Sequence, residues 1–228
     1  NREESCKGNI KSLEDVKKEA EDKCKGSSPP GSQTANFIVQ ASNNYLACVY
    51  GQMLEYWRER NAIETVGQKF PDWNKPAVVT IITGDNLGNG GATTFIFDRG
   101  EVVGWKMNIR GSYEKLIDST IPHEVQHMIV ASYFRKAVPR WADEGFSSNT
   151  ESQADLCKHF KMNIQFLRTE RGISLNKLFT MTDYPKDVMP LYAQGTSLTE
   201  YLLRQSGGGC QAKRKFMKFL GDGMQSGD

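Results

Sequence analysis

Between Asn44 and Gly67 apolar residues recur at helical spacing: Leu46, Val49, Tyr50, Met53, Leu54 and Trp57 share one face. The pattern predicts a long amphipathic helix there, with a short strand just before it at Phe37-Ile38-Val39-Gln40-Ala41. Val78-Val79-Thr80-Ile81-Ile82-Thr83 is β-branched throughout, which predicts a buried strand. Gly88 to Gly91 reads as a glycine-rich turn. Thr93 to Phe97 and Glu101 to Ile109 predict two further strands, joined by a hairpin at Asp98-Arg99-Gly100. From Tyr113 onward the helical period dominates. Strands come first and helices follow, an α+β order.

The ends of the chain differ from this pattern. Residues 1–25 are densely charged, and Ser12 to Lys25 reads as an exposed helix with a thin stripe of Leu13, Val16 and Ala20. Gly26-Ser27-Ser28-Pro29-Pro30-Gly31-Ser32 supports neither helix nor strand. Residues 1–35 are therefore read as a charged arm and linker, and residues 36–228 as the main domain. Near the other end, Lys213-Arg214-Lys215 and Lys218 read as a solvated helix face, with Phe216 and Phe219 turned inward. Gly207-Gly208-Gly209 reads as a connector.

Composition narrows the function classes. With 228 residues, 38% hydrophobic and 25% charged, the chain can bury a core, and disorder over most of its length is excluded. Twenty-nine basic residues face 27 acidic ones, a net charge of +2. That balance argues against a nucleic-acid or membrane-surface partner. No apolar run approaches the roughly 18 residues of a membrane span. The five cysteines, Cys6, Cys24, Cys48, Cys157 and Cys210, form no C-x-x-C pair, which argues against cysteine-ligated zinc. Cys6 and Cys24 bracket a short segment that a disulfide can close, and an odd number leaves at least one cysteine free or paired elsewhere.

The chemistry concentrates in Pro122-His123-Glu124-Val125-Gln126-His127, an H-E-x-x-H segment. Two residues four apart project from one helix face, so His123 and His127 can reach one metal ion. Glu124 lies about 100° round the helix, outside their plane, where a carboxylate can face a metal-activated water. Asp118, Ser119 and Thr120 read as capping residues, and Pro122 suits a first turn. Seventeen residues beyond His127 stands Glu144, in Pro139-Arg140-Trp141-Ala142-Asp143-Glu144-Gly145-Phe146. Asp143 beside it is the rival third ligand.

With these two segments the sequence resembles the gluzincins, the thermolysin-like and aminopeptidase-like zinc metallopeptidases. The resemblance implies a zincin-like fold: a small mixed or antiparallel sheet, then a helical bundle carrying the active-site helix. It implies zinc held by His123, His127 and Glu144, with Glu124 as general base and peptide or protein as substrate. The metzincin pattern fails, because Met128-Ile129-Val130-Ala131 follows His127 in place of G-x-x-H. A further stretch, Pro190 to Leu203, resembles the helix after the zinc site in peptidase-MA-like proteins and makes Tyr192 a candidate oxyanion donor. Gly91-Ala92-Thr93 is the candidate substrate-binding strand. Aminopeptidase relatives carry a glutamate in the corresponding segment where this chain has Thr94, which favours cleavage inside chains. Relatives of this kind are typically bacterial and exported, which implies an extracytoplasmic setting.

Three further residues have plainer readings. His159 reads as a surface or core-edge histidine. Glu151 and Asp155 follow Glu144 by seven and eleven residues, where a carboxylate can orient a ligand histidine or simply be solvated. Two other functions remain open at this level: a catalytically silent zinc-binding module, and a zinc hydrolase acting on a non-peptide amide.

Overall fold

The computed structural model describes residues 10–26 and 33–226. Helix α1 (Leu13–Cys24) is followed by strand β1 (Phe37–Gln40), helix α2 (Asn44–Thr65), strand β2 (Ala77–Thr83) and the hairpin β3 (Gly90–Asp98) and β4 (Glu101–Gly111). The four strands form one mixed sheet in the order β1-β2-β4-β3. β1, β2 and β4 run parallel, and β3 is antiparallel to β4 at the sheet edge. Period-two alternation sets its faces. Ala77, Val79 and Ile81 on β2, and Trp105, Met107 and Ile109 on β4, point into the core. The hairpin turns on Arg99 and Gly100, both left-handed, as a tight two-residue turn requires. Gly90 and Gly91 belong to β3 rather than to the turn expected there, because β4 extends to Gly111 and pairs with both.

Helices follow: α3 (Tyr113–Lys115), a wide π-type turn (Leu116–Thr120), α4 (Ile121–Phe134), α5 (Arg140–Ser148), α6 (Gln153–Phe166), α7 (Leu175–Phe179), α8 (Met189–Gln205) and α9 (Gly209–Ser226). Two apolar cores result. One lies under the sheet and gathers α1, α2 and the inner side of α4. The other joins the outer side of α4 to α5, α7, α8 and α9. α4 is the shared wall, and every residue from Ile121 to Ala131 is buried. A helix buried all round places polar side chains out of water only where something answers them.

The N-terminal helix is not fully exposed. Ala20 and Cys24 are buried against α2, and a Cys24–Cys48 disulfide links the two helices. A Cys6–Cys24 bridge is thereby excluded, since α1 packs on α2 and brings Cys24 to 5.8 Å from Cys48, Cα to Cα. Cys6 lies outside the described residues. Cys210 is disulfide-bonded too, and Cys157 is free and exposed. On α9, Phe216 is buried as expected but Phe219 is 55% exposed. Lys213 leaves the solvated face to bond Glu64. No helix among the described residues is long and apolar enough to cross a membrane.

Candidate metal centre

Capping side chains do not start α4. Thr120 makes no side-chain cap bond, because α3 and the wide turn run into α4 without leaving helical geometry. Pro122 does stand in the first turn. Helix α2 secures this lead-in: the Trp57 indole donates to the Ile117 carbonyl at 2.9 Å and the Asn61 amide to the Pro122 carbonyl at 3.0 Å. The same turn is tied to α6 through Asp155, which accepts from Ser119, Ser152 and Lys115. Burial opposes charge on Asp155, but these bonds hold its carboxyl below the usual range. Asp155 thus braces the helix start and does not touch the imidazoles.

His123 and His127 leave α4 on one side, and their Nε2 atoms stand 3.1 Å apart. Glu144, on α5, aims Oε2 at both, at 3.4 Å from His123 and 3.6 Å from His127. The third position is thus filled by Glu144. Asp143 turns the other way and accepts from His127 Nδ1 at 2.8 Å. Glu151, in the loop after α5, accepts from His123 Nδ1 at 2.7 Å. Carboxylates accept only, so each imidazole donates through Nδ1 and, in its neutral form, presents a bare Nε2 lone pair to the other two donor atoms.

Three electron-pair donors facing one another is an arrangement that wants a cation. Glu144 is 1% exposed, and its Oε2 has no hydrogen-bond partner. Donor atoms bonded tetrahedrally to zinc at roughly 2.0–2.1 Å lie about 3.3–3.4 Å apart. The three separations, 3.1, 3.4 and 3.6 Å, bracket that value. His123, His127 and Glu144 therefore form a buried group able to hold a metal ion.

The electrostatics agree. Burial opposes charge on His123, but Glu144 and Glu151 outweigh it and push the imidazole up to about 9. His127 is likewise raised, against burial, by Asp143 and Glu144. Glu151 falls to about 2, its burial outweighed by His123 and His159. Glu144 is held well below the carboxylate range, against burial, by the two imidazoles. The pocket demands positive charge, which protons or a metal ion can supply.

Backbone contact fixes where Glu144 sits. Gly145 and Gly195 let α5 and α8 meet main chain to main chain: a Cβ on Gly145 would overlap the Gly195 carbonyl, and one on Gly195 would lie 2.6 Å from the Trp141 carbonyl. On the other side of the centre runs the edge strand. Glu124 is buried, its Oε2 accepts from the Thr93 hydroxyl at 2.7 Å, and a Cβ on Gly91 would come within 2.8 Å of its Cδ. Gly91 and Thr93 both face Glu124, while Ala92 faces away and pairs with Asn108. Tyr192, on α8, stacks on the His123 ring at 6.2 Å. Burial and the Glu144 charge raise its phenol.

Two residues acquire roles that sequence reading did not give them. Tyr184, in the loop before α8, donates to Glu144 Oε1, and no spacing signal marked it. His159 comes to 3.5 Å from Glu151 and so joins the outer ring of the centre. Comparison with known proteins finds no matching family model, no matching curated protein and no matching solved structure.

Proposed function

We propose that this chain is a zinc-dependent peptidase of gluzincin type with a zincin-like fold, cleaving within peptide chains. One observation carries the reading: three bare donor atoms converge beside a buried glutamate that lies against an edge strand. Two imidazoles and one carboxylate form a donor set that suits zinc. Zinc, when bound, supplies a Lewis acid that lowers the pKa of a water and polarises a carbonyl.

The protein's own groups do the rest. Glu124 takes a proton from the attacking water and passes it to the leaving amine. Thr93 holds one oxygen of that carboxylate, and Gly91 keeps the space beside it clear of side chain. Among the described residues β3 pairs on one side only, with β4, so its other edge offers main-chain hydrogen bonds to an extended substrate. No carboxylate stands at Thr94 to hold a free amino terminus, which supports internal cleavage. Tyr192, beside His123, supplies a hydroxyl for the developing oxyanion. The Cys24–Cys48 disulfide suits an oxidising compartment, and the proposal extends to an extracytoplasmic setting.

The test is Glu124→Gln with internally quenched peptides. Turnover should fall by about 10³-fold while zinc content stays at the wild-type level. Cleavage by the variant at the wild-type rate would exclude Glu124 as the base.

A further inference from the structure

Glu144 has two oxygens with different company. Oε2 faces the two Nε2 atoms, at 3.4 and 3.6 Å, and has no hydrogen-bond partner. Oε1 accepts from the Tyr184 hydroxyl. Tyr184 belongs to the stretch between α7 and α8, forty residues from Glu144 in the chain.

That stretch is anchored to the helix that carries Glu144. Arg140 stands one turn before Glu144 on α5. Its guanidinium lies 4.6 Å from the Tyr184 ring centre, and its Nε donates to the Thr182 carbonyl at 3.0 Å. One helix face thus grips the loop twice, once through its backbone and once through the ring. The grip sets the phenol against Oε1. Tyr184 itself is half exposed, so its ring is no part of a core that needs it.

A carboxylate can give a metal one oxygen or two. An acidic ligand free to rotate can add its second oxygen and raise the coordination number, closing the position a water needs. A hydroxyl hydrogen bond on one oxygen opposes that rotation and leaves the other to the metal. Outer partners that orient ligands in this way typically alter metal affinity by about 10–100-fold.

We infer that Tyr184 is a positioning residue that keeps Glu144 a one-oxygen donor and so preserves an open place beside the metal. The inference rests on the zinc-site reading above but not on peptidase activity. Arg140 acts on the same bond by seating the ring. Tyr192 approaches the centre from α8, stacks on His123 and also interacts with Glu144, so the substitution must remove the Tyr184 hydroxyl alone and leave Tyr192 in place.

The experiment is Tyr184→Phe, which keeps the ring under Arg140 and removes only the hydroxyl. Wild type and variant are stripped with chelator and refilled with Co²⁺, whose visible band is intense in four-coordinate sites and weak at higher coordination. Zinc affinity is measured separately by competition with a chromophoric chelator. The variant's cobalt band should weaken severalfold, and its zinc Kd should rise by about 10-fold. A general loosening of the fold would change affinity without changing the band, so the band decides. An unchanged band in the variant overturns the role of Tyr184 and leaves the zinc site standing. Failure of the wild type to bind either ion overturns the zinc site, and this inference with it.

Discussion

Glu64 lies between Arg60 and Lys213, one buried carboxylate against two cations drawn from α2 and α9. At the candidate metal centre the proportions reverse. Glu144, Glu151 and Asp143 surround two imidazoles, and among the described residues the one permanent cation paired with them is Arg140, 3.9 Å from Asp143. The first cluster is complete as folded. Burial opposes the Glu64 charge, but its two partners outweigh that and hold its pKa at about 2. The second is short of positive charge and leaves a buried oxygen unanswered. A cluster that balances itself joins helices, whereas one that does not is built to receive something. Both are buried and both are ionic, so burial and charge alone do not separate structure from function.

Substituting a residue in each cluster should separate them. Glu144→Gln should lower zinc affinity by about 10³-fold or more, beyond what outer partners cost, while leaving the fold intact. Competition with a chromophoric chelator measures it. Wild-type affinity in that variant would make Glu144 another structural acid.

Glu64→Gln should act the other way. It should destabilise the chain by about 3 kcal/mol, the equivalent of moving a carboxyl from 4.5 to about 2, and leave zinc affinity unchanged. Denaturant unfolding in chelator checks the first part. Loss of zinc binding alongside stability would merge the two clusters.

Acidity distinguishes them in opposite directions. Glu64 has a lowered folded pKa, so its contribution is present above about 4.5 and lost as pH falls through about 2. His123 has a raised one in the metal-free protein. Its contribution is present below about 6.5 and lost as pH rises through about 9. Chelator-treated protein should therefore lose a few kcal/mol or less between pH 6.5 and 9, and added zinc should abolish that alkaline decline. The acid decline should persist with or without zinc. An alkaline limb indifferent to zinc would detach it from the centre.

The smallest effect belongs to Asp143→Asn. The amide can still accept from His127 through its oxygen but brings no charge, so zinc affinity should drop by about 10-fold. A loss as large as that for Glu144→Gln would make Asp143 a ligand.

What the chain discloses follows from how local each feature is. His123, Glu124 and His127 lie within one and a half helical turns, where residue spacing dictates direction, and their arrangement was legible in five letters. The strands were legible for the same reason, since alternation is local. Glu144 needed a second motif, because its approach depends on α5 meeting α8 at Gly145 and Gly195. Glu151 was legible only as a candidate. It works from a loop beyond the end of α5, where helical phase says nothing. Tyr184 was illegible: a loop tyrosine reaches Glu144 only because Arg140 holds the loop down. The Cys24 pairing was left open by the sequence, because chain proximity to Cys6 is no guide once α1 packs on α2. The expected caps on α4 were unnecessary, since the preceding wide turn already continues the helix.

The central claim is that three side chains from two helices hold one ion between them. Metal analysis by mass spectrometry, on protein purified without added zinc, tests it most directly, with His123→Ala alongside. One zinc per wild-type chain and none in the variant is the predicted result. Wild-type protein carrying no metal and refusing added zinc, or a variant that keeps its full zinc content, would contradict the account.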